Sequence, residues 1–206
     1  MRPHRLRSVF LTAAVVAASA VSSAVPAAAQ TPAVAHTAPA HGIGLAAGLT
    51  PLTELFAERL LLADKVAAAK YGTDLPIDDP ARERLILDDV AARAVGLGLD
   101  PDSVTAVFRD QIEANKLVQR GLYARWDAHP DERPTERPDL AKEVRPALDR
   151  ITTQLLAALQ ETAPARANAS CEPRLYAAAA LSAYEHQLDV LHLEGLGRAL
   201  PSVCDD

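Results

Sequence analysis

The sequence predicts an all-α fold, a single-domain bundle of about five main helices. Three observations carry this. Ala, Leu, Glu, Arg and Asp dominate the chain beyond its first fifty residues, with few β-branched runs and no hairpin signal. The apolar residues follow a helical pattern rather than alternating. Three pairs, Thr50-Pro51, Asp79-Pro80 and Asp100-Pro101, each read as an N-cap followed by proline at the first helical position.

The chain opens with a targeting segment. Arg2, Arg5 and Arg7 form a basic start, residues 9–21 are apolar or small, and Ala27-Ala28-Ala29 suits a signal peptidase. The apolar run is shorter than the ~20 residues that span a bilayer, so residues 1–29 read as a signal peptide and not an anchor. A secreted or periplasmic protein is expected, with no membrane contact after cleavage. Residues 30–49 hold Ala, Pro, Thr, Gly and His without periodicity and are expected to form a flexible leader. Residues 50–206 are long enough for one domain with one core.

The first predicted helix starts at Thr50-Pro51 and ends near Tyr71-Gly72, where glycine stops it. Residues 73–78 form a short loop. Asp79-Pro80 opens the second helix, which runs to about Val95 before Gly96 and Gly98. Asp100-Pro101 opens the third, reaching about Trp126. Pro130, Pro134 and Pro138 mark a charged loop, and a fourth helix spans about Asp139 to Glu161. A fifth is expected from about Glu172 to Leu196. Core candidates are Leu60, Leu61, Leu62, Val66, Leu85, Leu87, Val104, Val107, Phe108, Ile112, Leu155 and Leu156, with Tyr123 and Trp126 expected to pack.

The two cysteines, Cys171 and Cys204, both lie in the exported part, and an even count there favours a disulfide. It would contribute roughly 3–4 kcal/mol by constraining the unfolded chain. Free thiols or a metal site are the alternatives, but no nearby His or Cys spacing supports a metal. His186 and His192, six apart, are also poorly spaced for one.

The formal charge is −6, and losing the three signal-peptide arginines takes it to about −9. So acidic a surface argues against a nucleic-acid partner and makes an internal cluster of cations more telling. Four residues set at helical intervals around the middle of the chain are the candidates: the cations Arg59, Lys70 and Arg82, with Gln119. Arg59 and Lys70 are 11 residues apart, about three helical turns, on a face that also carries apolar side chains. Burying an unpaired cation is costly, and an anionic ligand is one reason to do so.

Glu58-Arg59 with Lys70, the run Asp79-Pro80-Ala81-Arg82-Glu83, and Val107-Phe108-Arg109-Asp110-Gln111-Ile112 leading to Asn115 and Gln119 together resemble the all-helical, AroQ-type chorismate mutases. The similarity is to their secreted gamma subclass, with Arg145 and the pair Cys171/Cys204 at matching places. The resemblance implies a helical fold, no cofactor, a homodimer, and chorismate as substrate, rearranged to prephenate as in aromatic amino acid biosynthesis. It implies that Arg59 and Arg145 bind substrate carboxylates. Arg82 would hold a carboxylate and position Lys70, while Lys70 and Gln119 would flank the ether oxygen of the breaking bond. Glu83 and the Asp79 backbone would hold the ring hydroxyl, and Asn115 stands where the family uses Ser or Thr near a carboxylate.

The chemistry fits those roles. A dianion needs fixed cations, and arginine offers each carboxylate a planar fork. A unimolecular rearrangement needs positioning and donors at the oxygen where charge develops, not a nucleophile or proton shuttle. Taken singly, the residues have plainer readings. Arg59 could pair with Glu58 or Asp64, Lys70 could be solvated near a helix end, Arg82 could pair with Asp78 or Asp79, and Asn115 could bond Gln119 on an exposed face. Arg145, preceding Pro146, could lie in a loop. The rival overall reading is a non-catalytic secreted helical protein that binds an anion or a protein on the same scaffold. Lys116, charged and adjacent to these residues where some relatives carry an acid, has no role in either reading.

Overall fold

The computed structural model describes residues 48–204, so the expected signal peptide and residues 30–47 of the expected leader lie outside the described residues. Seven α-helices follow in order: α1 Thr50–Lys70, α2 Pro80–Gly96, α3 Pro101–Ala128, α4 Arg145–Glu161, the single turn α5 Ala163–Arg166, α6 Cys171–Glu185 and α7 Val190–Arg198. A 3-10 turn, Pro130–Glu132, and a π-helical turn, Leu140–Val144, lie between α3 and α4. The described residues include no strand.

Two of the three expected caps form as read. The Asp79 side chain accepts from the Arg82 N–H and that of Asp100 from the Ser103 N–H, both at 3.0 Å. The first helix starts differently. Thr50 is already helical, and Leu49, fully buried, holds the cap position with its carbonyl accepting from the N–H groups of Leu52 and Thr53.

The expected fifth helix is two. Gln187 adopts φ 50°, and Leu188 N–H bonds back to the Ala183 carbonyl at 3.0 Å, the six-to-one bond of a left-handed helix terminus. Leu188 is buried, and Asp189 then caps α7 through the His192 N–H at 2.9 Å. Glycine usually marks such a terminus; here a glutamine holds it, so the sequence carries no break signal.

α1 packs against α3, α4, α6 and α7, while α2 lies along α3. Its core stripe, Leu52, Phe56, Leu60, Ala63 and Ala67, follows the helical period. Val104, Val107, Phe108 and Val118 of α3 and Ile151, Leu155, Leu156 and Leu159 of α4 complete the centre. Two core candidates are corrected. Leu61 lies beside this stripe and is 36% exposed, and Leu85 stands at the mouth of a cavity, 63% exposed. Tyr71, Tyr123 and Trp126 pack edge to face where α1 meets α3.

The C-terminal helices brace this core. A Cβ on Gly195 would stand 2.9 Å from both Leu60 and Val118, so only glycine lets α7 settle between α1 and α3. Buried Asp110 of α3 accepts from Arg198 at 2.6 Å and from the Ser202 N–H at 3.0 Å. Cys171 and Cys204 are joined in a disulfide.

Candidate active site

A cavity of about 650 Å³ opens between α1, α2, α3 and α4, within the range of small-molecule sites. Each helix contributes side chains at helical spacing. From α1 come Arg59, Val66 and Lys70; from α3, Ile112, Asn115, Lys116 and Gln119; from the start of α2, Asp79, Arg82, Glu83 and Ile86; from α4, Arg145, Leu148, Asp149 and Thr152. All eight residues expected at a substrate site therefore line one cavity. Val66, Ile112, Ile86, Leu140, Val144 and Leu148 form its apolar wall.

Arg59 lies deepest and is 6% exposed. It is paired with neither Glu58 nor Asp64. Its one hydrogen bond goes to Thr152 Oγ1 at 3.5 Å, its Nε has no partner, and its guanidinium carbon stands 6.0 Å from the centre of the Phe108 ring. Burial pushes its pKa down to about 10, against the pull of Asp149. Lys70 donates to the Pro76 carbonyl at 2.8 Å. Burial lowers its pKa and the nearby Arg145 adds to this, while Asp79, Asp78 and Glu83 oppose.

Arg82 and Arg145 stand exposed at the rim and form no ion pair among the described residues. Arg145 is helical despite the following proline, because the π-helical turn before it delivers the chain already wound, at φ −60°, ψ −44°. Proline then occupies the first turn of α4, where its missing N–H costs nothing.

Asn115 does bond Gln119, as the plainer reading had it, but facing the cavity and not solvent. Gln119 Nε2 donates to Asn115 Oδ1 at 2.7 Å, and Asn115 Nδ2 reaches the Arg59 carbonyl at 3.5 Å. This relay ties the Gln119 amide to α1 and uses one of its two N–H hydrogens. Asp79 and Glu83 form a reciprocal cap on α2: the Asp79 N–H donates to Glu83 Oε1 at 3.3 Å.

The sequence places Lys116 beside the site but gives it no role. Its buried ammonium meets Glu113 at 2.6 Å and Asp78 and Glu83 at 3.2 Å. Burial works against its charge, but hydrogen bonds to Glu113, Asp78 and Glu83 outweigh burial and raise its pKa. Its spacing from Gln119 and Ile112 along α3 was the available signal. Thr152 and Asp149 were missed, although they follow Arg145 by seven and four residues.

The described residues include no cluster of His, Cys, Asp and Glu able to hold a metal, and no helix among them is long and apolar enough to cross a membrane. His192 is buried between Asp64 at 3.0 Å and Asp189 at 2.6 Å.

Comparison with known proteins agrees with this geometry. The family described as chorismate mutase type II matches residues 51–120. The chain is 33% identical over 159 residues to the secreted chorismate mutase of Mycolicibacterium smegmatis, covering 77% of this chain and 87% of that protein. It is 33% identical over 156 residues to the secreted chorismate mutase of Mycobacterium tuberculosis, covering 76% and 78% respectively. The crystal structure of chorismate mutase from Burkholderia phymatum superposes with a TM-score of 0.76 at 35% identity, covering 79% of this chain and 99% of that one.

Proposed function

We propose, from the premise that this chain belongs to the type II chorismate mutase family, that its cavity holds chorismate with its enolpyruvyl arm folded over the ring and donors on both sides of the ether oxygen. The chain is a chorismate mutase, an isomerase that converts chorismate to prephenate. In that reaction the ether C–O bond breaks as a C–C bond forms, and no proton or group leaves.

The observation that carries the assignment of roles is the imbalance of charge. Arg59 is buried without a carboxylate in hydrogen-bond contact, and Arg82 and Arg145 are unpaired among the described residues. A dianionic substrate supplies the missing partners. Arg59 and Arg145 take the carboxylates, and Arg82 takes a carboxylate and orients Lys70. Lys70 and the free N–H of Gln119 meet the ether oxygen, where preorganised donors typically give ~2.7–4 kcal/mol each. Glu83 and the Asp79 backbone hold the ring hydroxyl. Asn115 fixes the Gln119 amide, the contact it already makes. The apolar wall keeps water from the depth of the cavity, which strengthens the contacts made by buried Arg59 and Gln119.

The protein is exported, with residues 1–29 as signal peptide and 30–49 as leader. The secreted chorismate mutases to which it is similar support this. It works as a homodimer, a reading that rests on the family resemblance, and its acidic charge argues against nucleic acid as a partner.

The test is chorismate consumption by the exported protein, with Leu49 and its cap on α1 retained, beside a Lys70→Ala variant of equal helicity. Turnover by the first and a loss of at least ~100-fold in the second is expected. Equal turnover by both would remove Lys70 from the ether oxygen. No turnover by a folded, disulfide-bonded domain, with no rise in melting temperature on adding a transition-state mimic, would leave a binding protein.

A further inference from the structure

We propose that Lys116 is a positioning residue for the rearrangement, which aims the Glu83 carboxylate at the substrate's ring hydroxyl. The inference rests on the reading of Glu83 as the hydroxyl's acceptor.

Lys116 lines the cavity between Asn115 and Gln119, yet it is spent within the protein. Its Nζ lies 3.2 and 3.4 Å from the two oxygens of Glu83, 2.6 Å from Glu113 and 3.2 Å from Asp78. Three carboxylates surround the ammonium, Glu83 in hydrogen-bond contact through both oxygens and Glu113 and Asp78 as ion pairs. Asp78 is itself held by Arg120 at 2.6 and 2.8 Å. Ion-paired to carboxylates of the chain itself, Lys116 is set apart from the unpaired cations around it.

Glu83 needs such a partner. It is the one carboxylate side chain assigned to touch the ligand, and an acceptor serves a positioned substrate only when it is itself held in place. Lys116 approaches from behind, and its contact with both oxygens sets the plane of the carboxylate. The Asp79 N–H, 3.3 Å from Oε1, fixes the same group from the helix start. Lys116 thus ties α3, which carries Gln119, to the end of α2 that meets the ring.

The experiment is a double-mutant cycle on the full disulfide-bonded domain, reading kcat and KM for chorismate. The variants are Lys116→Met, Lys116→Arg, Glu83→Gln and the Met/Gln double, with helicity and melting recorded for each. Lys116→Met is expected to raise KM about tenfold and to change kcat less, and Lys116→Arg to recover most of the loss. On the Glu83→Gln background, Lys116→Met should add less than about twofold. If its effect multiplies in full on that background, Lys116 does not act through Glu83 and the proposal is overturned. A Lys116→Met enzyme with unchanged KM overturns it as well. If Glu83→Gln leaves both constants unchanged, the assignment of Glu83 to the hydroxyl fails first. Should Lys116→Met not fold, Lys116→Gln takes its place in the same cycle with the same expected and overturning results.

Discussion

On one face of α1, Asp64 meets His192 of α7; on another, Arg59 enters the cavity. Both His192 and Arg59 are buried cations, 5% and 6% exposed. His192 has a carboxylate on each ring nitrogen, and the hydrogen bond to Asp64 above all, with that to Asp189, outweighs burial and lifts its pKa to about 9. Arg59 has only a long contact to Thr152 and an Nε without a partner, and burial drives its pKa down to about 10. Two faces of α1 thus meet a buried cation that the fold has satisfied, His192 of α7, and one that it has left open, its own Arg59. A buried charge paired within the chain reads as structure; one left unpaired beside a cavity reads as a place kept for a ligand of opposite sign.

Removing the open charge breaks this comparison most sharply. Arg59→Met should lower kcat/KM roughly 100-fold by deleting a carboxylate partner. The same variant should unfold at a higher temperature than the parent, because the cost of burying an unpaired guanidinium is gone. Steady-state kinetics and thermal melting on one preparation check both, and a variant that melts lower would show that Arg59 is already compensated within the free protein.

The satisfied charge should show the opposite behaviour. The folded pKa of His192 lies above its ordinary value of 6.5, so its contribution is complete below that pH and is lost as pH rises through about 9. The loss is at most about 3 kcal/mol, or several degrees in melting temperature. Melting curves between about pH 6 and 10 should show this fall in the parent and not in His192→Gln. A parallel fall in both would place the titration elsewhere.

The smallest expected effect sharpens the cavity side. The donor from α3 at the ether oxygen is an amide, so no proton there has to be taken up for it to donate. Turnover should therefore stay flat between about pH 5 and 8. A steep change across that window with the fold intact would place a titrating group beside the reacting bond.

Most of the site was legible because its residues lie on regular helices. Arg59 to Lys70 on α1, Arg82 and Glu83 after the Asp79 cap, and Asn115 to Gln119 on α3 need only a period of 3.6 to be placed on faces. Arg145 was less readable, since its helical conformation depends on a π-helical turn that leaves no mark in sequence. The place of Lys116 beside the cavity was legible from its spacing along α3, but its pairing was not. Glu113 is local, yet Asp78 and Glu83 are more than thirty residues away, and only the fold brings them to it.

The sequence by itself determined the all-α class and two of the three Asp/Thr-Pro helix starts, and it favoured the pairing of Cys171 with Cys204; these rest on local backbone chemistry, helical period or the count of a residue type. The set of site residues was legible through the family resemblance that their order and spacing carry. Tertiary structure alone decided that Gln187 splits the last long helix, because burial of Leu188 offsets a left-handed glutamine. It also decided which buried charges have partners. Pairing is a property of distances between helices, and those distances are set by how the apolar faces pack.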